Sequence, residues 1–364
     1  AKIKLQGHAS GSGIITLTAP NTSTDRTITL PDGTGTLLNS DGSGASLTSL
    51  PNQKVNSNLI INGGFDVAQR GTTVSGIGSA KYTLDRWKAT SSGADSTVTQ
   101  VSGATYPKAL RLTGAGSTSG TYLQQRVESA NSRHLAGQTA TFSVYLRAST
   151  AKTVEFSIGY ASGGTDTFSG TTGIASANFS VTTTDTKFTW TGSIPSAATT
   201  GIQVELKISS QGSAWYEASN AKLETGSVAT DFEHRSYGEE LALCQRYYQK
   251  LTGSYAAYGQ IANMNYNSAS QAQTSLIYCT EMRAAPSLSY TSTSSNNSSS
   301  AYAIANGSSN SGAVDYIDGL LLYNPNTIST LLYTDGSAGG TAREAGNLYV
   351  QSAITELALV AELA

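Results

Sequence analysis

The sequence is poor in charge and has no long apolar run. Charged residues make up 13% of the 364 residues, about half the roughly 25% of an average soluble domain. Lys and Arg are scattered and the net charge is −2, so nucleic acid is not an expected partner. No apolar run reaches the roughly 18 residues of a membrane span, and the N-terminus lacks the apolar region of a signal peptide. We therefore expect neither membrane insertion nor secretory export.

Cysteine and histidine are scarce. Cys244 and Cys279 are too few for a disulfide framework, and we expect small buried thiols, with a bond between them as the alternative. His8, His134 and His234 lie far apart in the sequence, and no Cys/His spacing fits a zinc site. No coil-length repeat, dense acidic cluster or nucleophile elbow occurs either. We therefore expect no cofactor and no enzymatic activity.

Glycine, serine and threonine are abundant instead, which favours extended β structure with many turns. Residues 1–40 contain short strands with alternating apolar residues, such as Ile3 and Leu5, or Ile28 and Leu30. So short a region cannot bury its own core without a metal, a disulfide or a partner chain. We predict that it oligomerises, with a flexible tail as the alternative, and that residues 41–57 form a linker.

Residues 58–235 show a strong period of two, which predicts the strands of two packed antiparallel sheets. The predicted inward-facing residues are Phe142, Val144, Leu146, Val154, Phe156, Ile158, Tyr160, Phe188, Trp190, Ile202, Val204, Leu206 and Ile208. The region 236–251 differs, because its apolar residues follow helical spacing and Ser236 with Glu239 forms a capping box. It predicts a helix of three to four turns.

Strands resume in 252–364, the predicted C-terminal β-sandwich. The Ser/Asn/Gly-rich stretch 291–312 predicts a loop or an irregular edge. The final run AITELALVAELA alternates Leu357, Leu359, Ala361 and Leu363, which predicts a strand, with a short helix as the alternative. The fold is therefore expected to be mainly β, in several domains.

Three segments together resemble a bacteriophage tail fibre. NLIINGGFDVAQRG at 58–71 and YTLDRW at 82–87 resemble the opening of a galactose-binding-like jelly roll, a fold shared with carbohydrate-binding modules. SYGEELALCQRYYQK at 236–250 resembles the segment that closes this module in phage fibres. The resemblance covers residues 1 to about 290 and implies a β head, a jelly roll, a spacer helix and a receptor-binding tip.

The resemblance also implies partners and a location. A fibre of this kind is a homotrimer in the virion, joined to a tail or baseplate protein by its N-terminal head. Its tip binds a host surface glycan or envelope protein. Two alternatives remain, a polysaccharide depolymerase and a decoration fibre attached to the capsid.

The jelly-roll resemblance raises the possibility of a structural calcium ion. Asp66 matches the first acidic ligand of such sites, whereas Ser219 stands where the second acid is expected, so the site is incomplete. Asp85, Arg86 and Trp87 could form a functional site, but a buried ion pair against an aromatic ring is the preferred interpretation. Neither feature predicts catalysis.

Twelve of the 19 tyrosines follow residue 246, and ten of these lie in the predicted tip. Tyrosine offers a rigid face and a hydroxyl to a sugar, although most of these rings are expected to fill a core. The candidates for receptor binding lie in turn-rich contexts and are Tyr302, Tyr316, Asp318, Tyr323 and Tyr333. After Leu251, two arginines face seven acidic residues, which favours a neutral glycan or a protein over an anionic receptor.

Overall fold

The computed structural model describes residues 58–251, 259–268, 271–292, 302–306, 314–317, 319–335, 345–350 and 354–363. In several strands after residue 258 only the backbone is described. These residues all belong to one compact unit, 55–364. The predicted N-terminal head, 1–40, lies outside the described residues, as does the predicted linker up to 57. Within the described ranges, no helix has the length and apolar character needed to cross a membrane.

Twelve strands form two six-stranded antiparallel sheets, so the prediction of packed antiparallel sheets is confirmed. The first sheet has the order β1-β4-β5-β12-β7-β10 and the second β2-β3-β6-β11-β8-β9. The first contains β1 (Thr73–Ile77), β4 (Ser96–Val101), β5 (Ala109–Thr113), β7 (Thr139–Ala148), β10 (Thr186–Ser193) and β12 (Trp215–Thr225). The second contains β2 (Lys81–Tyr82), β3 (Lys88–Ser92), β6 (Gly120–Val127), β8 (Lys152–Ala161), β9 (Thr171–Val181) and β11 (Ile202–Ser209).

The core between the sheets consists of the inward residues that the period of two predicted. Val144, Leu146, Val204 and Leu206 are fully or almost fully buried, and each such side chain stabilises the fold by about 1.5–3 kcal/mol relative to exposure. Aromatic rings fill the centre, where Phe142 stacks on Phe156 with ring centroids 4.4 Å apart. Tyr160, Phe188 and Trp190 are only half-buried but pack against the same core.

The Asn-rich segment that begins the sandwich is held against β12, the last strand of the two sheets. Asn58 accepts hydrogen bonds at Oδ1 from the backbone of Ile60 at 2.9 Å and of Leu223 at 3.1 Å. Its amide donates to the carbonyl of Ala221. Gly63 must be glycine, since a Cβ there would lie 2.1 Å from that same carbonyl oxygen. The motif therefore fixes the start of the sandwich on β12.

The predicted helix forms, but it is shorter than expected. A short helix, α1 (Ser129–Ser132), and a 3₁₀ turn, Arg133–Leu135, precede it, and the helix itself is α2 (Tyr237–Gln245). Its capping box of Ser236 and Glu239 is confirmed. The chain then becomes β13 (Tyr248–Lys250), which pairs with the C-terminal strand. The extension of the helix to 251 was wrong because this long-range pairing outweighs the local helical spacing.

The C-terminal region forms two further sheets. A three-stranded sheet has the order β13-β22-β16 and a seven-stranded sheet the order β18-β17-β21-β14-β15-β20-β19. Their strands are β14 (Gly259–Ser268), β15 (Gln271–Ile277), β16 (Ser287–Ser292), β17 (Tyr302–Asn306), β18 (Val314–Ile317), β19 (Gly319–Tyr323), β20 (Ser329–Asp335), β21 (Ala345–Val350) and β22 (Ile354–Val360).

These strands confirm a mainly β fold and correct two local expectations. The C-terminal run is a strand, β22, as predicted, with Leu357 and Leu359 buried. The stretch 291–312 is not wholly a loop, because its residues 302–306 form β17 and pair with β18 and β21. Both cysteines are free, but only Cys244 is buried and Cys279 is exposed, so the expectation of a buried thiol was wrong for Cys279.

Candidate functional site

The two sheets of the sandwich differ in what covers their outer faces. On the first sheet, the segment 226–235 lies over β12, and Lys222 beneath it has no exposed side-chain surface. The Lys222 ammonium donates to Thr230 Oγ1 at 2.5 Å and to the Asp231 carbonyl at 2.9 Å. On the second sheet, the outward residues of β11, among them Gln203 and Glu205, stay half-exposed. The second sheet therefore presents an open polar face.

A groove of about 400 Å³ lies on this open face, across β8, β9 and β11. Its volume falls within the roughly 300–1,000 Å³ of small-molecule sites. Its lining combines hydroxyl, amide and carboxylate groups with apolar surface. The lining residues are Ser157, Ile158, Gly159, Thr171, Gly173, Ile174, Ala175, Ser176, Gln203 and Glu205.

The floor of the groove is made by two glycines on neighbouring strands. Gln203 pairs with Gly159, and Gly159 pairs with Gly173. A Cβ at Gly159 would lie 2.8 Å from the Thr172 carbonyl oxygen, whereas one at Gly173 would meet no atom within 4 Å. The row beside Gln203 therefore has no side chains, which creates the depression into which a ligand group could reach.

Glu205 is the acidic residue of the groove, and its surroundings raise its pKa. Burial raises the pKa of Glu205, with nearby Lys207 acting against this shift and Glu155 adding to it. Lys207 is itself engaged, because its ammonium pairs with Glu155 at 3.2 Å and lies 5.8 Å from the centre of the Tyr122 ring. The groove thus offers one carboxylate acceptor beside a neutralised ion pair and an aromatic ring.

Gln203 stands at the end of the groove with its side chain held in place. The guanidinium of Arg126 donates from Nε to Gln203 Oε1 at 2.9 Å. Because the amide oxygen is occupied in this way, the two N–H donors of Gln203 are directed elsewhere. The groove therefore combines an oriented amide donor, at Gln203, with a carboxylate acceptor, at Glu205.

The predicted receptor-binding tyrosines of the tip fall into two separate pairs. Tyr302 and Tyr316 lie in β17 and β18, at one edge of the seven-stranded sheet, and Tyr323 and Tyr333 lie in β19 and β20, at the other. Four strand spacings of about 4.8 Å separate β17 from β20, or roughly 19 Å. All four tyrosines were expected in turn-rich contexts and are strand residues, with Tyr323 the last residue of β19, while Asp318 lies outside the described residues.

The side chain of Tyr323 is the one among these whose exposure is described, and it is 53% exposed. It ends β19 beside a turn in which Asn326 Oδ1 accepts from the backbone of Ile328 and Ser329. Ile328 in this turn is also exposed. The turn therefore presents a tyrosine ring and an aliphatic side chain to solvent, as a receptor contact would require.

The surroundings of Asp66 do not fit a calcium ion. Calcium takes six to eight oxygen ligands, whereas the charged groups that act on Asp66 are His234 and Lys108. Burial is the largest influence and raises the pKa of Asp66. Within the described residues, no group of three or more His, Cys, Asp or Glu side chains is placed to hold a metal. Ser219, the expected position of the second acid, is buried.

The expected ion pair at Asp85, Arg86 and Trp87 has a different partner. All three residues are buried, but the Arg86 guanidinium pairs with Glu362 and stacks on the Tyr247 ring at 3.4 Å. Asp85 instead accepts from the backbone and side-chain amides of Gln69, each at 2.6 Å. A buried ion pair against an aromatic ring is therefore confirmed for Arg86, but its partner is Glu362 and not Asp85, because it comes from a segment far away in the sequence.

Comparisons with known proteins give similarity to solved structures alone. No family model and no curated protein matches the chain. It is similar to the enzymatically active domain of bacteriophage CBA120 tailspike protein 4, with 13% identity over 46% of this chain, 21% of that chain and a TM-score of 0.34. It is also similar to CBM4, with 16% identity, 45% and 98% coverage and a TM-score of 0.31.

A third structure, TmCBM61 in complex with β-1,4-galactotriose, shows 11% identity, 46% and 99% coverage and a TM-score of 0.26. The chain thus spans about a fifth of the tailspike domain and nearly all of these two modules. Each similarity covers less than half of this chain.

The sequence of β11 contained a signal for the groove. Gln203, Glu205 and Lys207 alternate with the apolar residues that predicted the inward face of β11. These polar residues occupy the outward face by the same period of two. Which outward face remains open depends on the segment 226–235, and no local pattern shows where that segment lies.

Proposed function

We propose that this protein is a subunit of a bacteriophage tail fibre that binds a neutral glycan, without cleaving it, in the groove on the second sheet. The single observation that carries the binding proposal is the groove itself, with an oriented amide at Gln203, a carboxylate at Glu205 and a glycine floor. The fibre assignment is supported by the motifs at 58–71, 82–87 and 236–250.

The chemistry of the groove suits a sugar. Each sugar hydroxyl both donates and accepts, so it needs the mixed set of donors and acceptors that Gln203, Glu205, Ser157 and Ser176 provide. The C–H faces of a sugar need apolar contact, which Ile174 and the glycine floor offer. A strongly anionic glycan would be repelled by Glu205, because Lys207 is already paired with Glu155.

Trimerisation would strengthen weak binding. A millimolar site contributes about −4 kcal/mol, and tethering several copies raises avidity by roughly 10²–10⁴ without any new contact. As a homotrimer joined to a tail or baseplate protein, the fibre would present three grooves to the host surface. Its location would then be the virion, with assembly in the host cytoplasm.

The groove can be tested by filling it. Gly173→Phe should abolish binding of β-1,4-galactotriose, xylohexaose and cellohexaose, measured by isothermal titration calorimetry, because the ring would occupy open space above the floor. Gly173→Ala is the matched control and should bind as the wild type does. Binding by Gly173→Phe with unchanged affinity, or no binding by the wild type to these probes and to the host polysaccharide, would contradict the proposal.

The tip is proposed as a second contact with the host. Its support is the exposed ring of Tyr323 beside Ile328, together with the tyrosine enrichment after residue 246. Tyr323→Ala should reduce adsorption of virions, and the thermal midpoint, measured on the same protein, separates loss of a receptor contact from loss of folding. Comparing adsorption of this variant with that of Gly173→Phe assigns the receptor contact to the tip, to the groove, or to both.

A polysaccharide depolymerase is the second candidate function. The observation that favours it is the presence of two acidic residues, Glu155 and Glu205, on one face, with a raised pKa at Glu205, as a general acid requires. Chain length of the host polysaccharide before and after incubation separates the two functions. Shortening by the wild type but not by Glu205→Gln would establish hydrolysis and overturn the proposal of binding alone.

A further inference from the structure

One side chain, that of Arg126, is hydrogen-bonded both to a residue of the candidate groove and to a residue near the C-terminus. Arg126, on β6, donates to Gln203 Oε1 at 2.9 Å and, from Nη1, to the carbonyl of Leu363 at 3.0 Å. Its guanidinium also lies 5.0 Å from the centre of the Phe168 ring. Arg126 therefore connects a residue that lines the groove to a residue 160 positions later in the sequence, three residues after the end of β22.

Leu363 is anchored firmly enough to serve as a fixed point. Its side chain is fully buried and packs with Ala161, Phe168 and Tyr247. Its carbonyl also accepts a hydrogen bond from the Tyr82 hydroxyl at 2.6 Å. Burial, with a further contribution from Glu362, raises the pKa of Tyr82 to about 12, so the hydroxyl keeps its proton throughout the neutral range.

Glu362 anchors the C-terminal segment through ion pairs. Its carboxylate pairs with the buried Arg86 and with Arg70, the latter at 3.1 Å. Arg86 Nη2 also donates to the carbonyl of Arg126 at 2.6 Å. From the opposite side, Arg283 donates to the carbonyls of Ala361 and Glu362. The C-terminal segment is thus held between the sandwich and the residues that follow β15.

We propose that Arg126 is a positioning residue for the groove, and that residues Ala361–Leu363 hold it in the orientation that aims the Gln203 amide at the ligand. This inference rests on the proposed function. A glutamine side chain that is fixed before binding loses less conformational entropy on contact with a ligand. Because its oxygen faces Arg126, the ligand must present an acceptor oxygen to the amide N–H groups. The C-terminal segment thereby sets both the affinity of the groove for its ligand and its preference for a ligand that presents an acceptor oxygen.

A double-mutant cycle tests the inference in the full chain. Arg126→Met should raise the Kd for whichever of β-1,4-galactotriose, xylohexaose and cellohexaose binds best by about tenfold, the equivalent of one hydrogen bond. In a Gln203→Ala background the same change should raise the Kd less than about twofold. Arg126→Lys should lie between Arg126→Met and the wild type.

Arg246→Met is the matched control. Arg246 pairs with the buried Glu128 at 3.1 Å, so its loss should lower the thermal midpoint while the Kd stays unchanged. Equal rises in Kd for Arg126→Met in both backgrounds, or no rise in either, would overturn the positioning role.

A readout without ligand separates failure of this inference from failure of the proposed function. The side-chain amide resonances of Gln203 should shift and broaden in Arg126→Met and in a chain ending at Val360, and stay unchanged in Arg246→Met. Unchanged resonances in Arg126→Met would refute the positioning role even where glycan binds. Shifted resonances without glycan binding by the wild type would refute the proposed function and leave the coupling itself established.

Discussion

The pKa of Glu205 depends on the neighbouring residues of its sheet. It lies between Lys207 and Gln203 on β11, and the neighbouring strand contributes Glu155 to the same face. Partial burial outweighs the attraction of Lys207 and raises its pKa. The ionised carboxylate is therefore held at a cost in the free energy of folding, which a bound sugar hydroxyl could offset by donating a hydrogen bond.

This cost predicts a pH dependence of stability. A raised pKa in the folded state means that the contribution of Glu205 is fully present below the pKa of an ordinary Glu, about 4.3, and is lost as pH rises through the raised value. The free energy of unfolding of the wild type should therefore fall relative to Glu205→Gln as the pH rises above about 4. Urea titrations of both proteins measure this difference.

Glu155→Gln serves as the comparison for removing one negative charge from this face. A difference between wild type and Glu205→Gln that stays constant with pH would contradict the raised pKa.

The glycine pair predicts two different outcomes for the same substitution. Gly159→Ala should destabilise the protein by about 1–3 kcal/mol, because its Cβ would lie too close to the backbone oxygen of Thr172. Gly173→Ala should be neutral within about 0.5 kcal/mol, as expected for a change into open space. Chemical denaturation measures the free energy of unfolding of the two variants. Equal losses of stability would show that Gly159 does not lie close to the Thr172 oxygen.

At the scale of elements, the connection from sandwich to tip is a short helix followed directly by a strand. Glu240 on α2 accepts a hydrogen bond from the backbone of Asn62 and pairs with Arg235 at 3.1 Å. After the helix, Tyr247 and Tyr248 are buried beneath Arg86 and Arg70, respectively. The spacer is therefore held on the sandwich from Glu240 onward, whereas its first turn, 236–239, is exposed.

The helix cap gives a prediction for this element. Ser236→Ala removes the side-chain acceptor for the Glu239 amide and should destabilise the protein by about 1 kcal/mol. The exposed Ser227 in the preceding loop is the control, and Ser227→Ala should leave the denaturation midpoint unchanged. A midpoint for Ser236→Ala equal to that of the control would mean that the cap contributes nothing.

At the scale of the whole molecule, a buried ion pair joins the first strands to the last residues. Burial by itself would lower the pKa of Arg86, but Glu362 outweighs it and the pKa is raised. Arg86 is thus charged inside the protein. Its charge is balanced by a residue 276 positions away.

Breaking this pair should be costly. Glu362→Ala should destabilise the protein by about 3–5 kcal/mol, since it leaves the Arg86 charge buried without compensation. The double variant Arg86→Met, Glu362→Leu should lose less stability than Glu362→Ala, because it removes both charges and keeps apolar volume. Denaturation in urea compares the two. A double variant less stable than the single variant would contradict this account.

Assembly is predicted at the same scale. We expect a trimer in solution, because residues 1–40 are too short to bury a core of their own, and because the motifs resemble those of trimeric fibres. Sedimentation equilibrium at micromolar concentration measures the mass. A monomer would refute the shared core, and deletion of residues 1–57 should lower the oligomeric state if that core drives assembly.

Local sequence determined the strands and the helix start. The inward residues of β7, β8 and β11 were predicted because side chains in a strand alternate between its faces. The capping box of Ser236 and Glu239 was predicted because both partners lie within four residues. These features depend on residues that are close together in the sequence, so they can be predicted from the sequence alone.

Tertiary structure decided the groove, the end of the helix and the partner of Arg86. The end of the helix and the partner of Arg86 each depend on a contact across more than one hundred residues, which local patterns do not contain: β13 pairs with β22, and Glu362 reaches Arg86. The groove depends on the adjacency of β8, β9 and β11 in the second sheet. The outward polar face of β11 became a candidate site only because the segment 226–235 lies over the other sheet. The way in which this segment folds back over β12 is a property of the folded chain, and such burial determines which polar residues a ligand can reach.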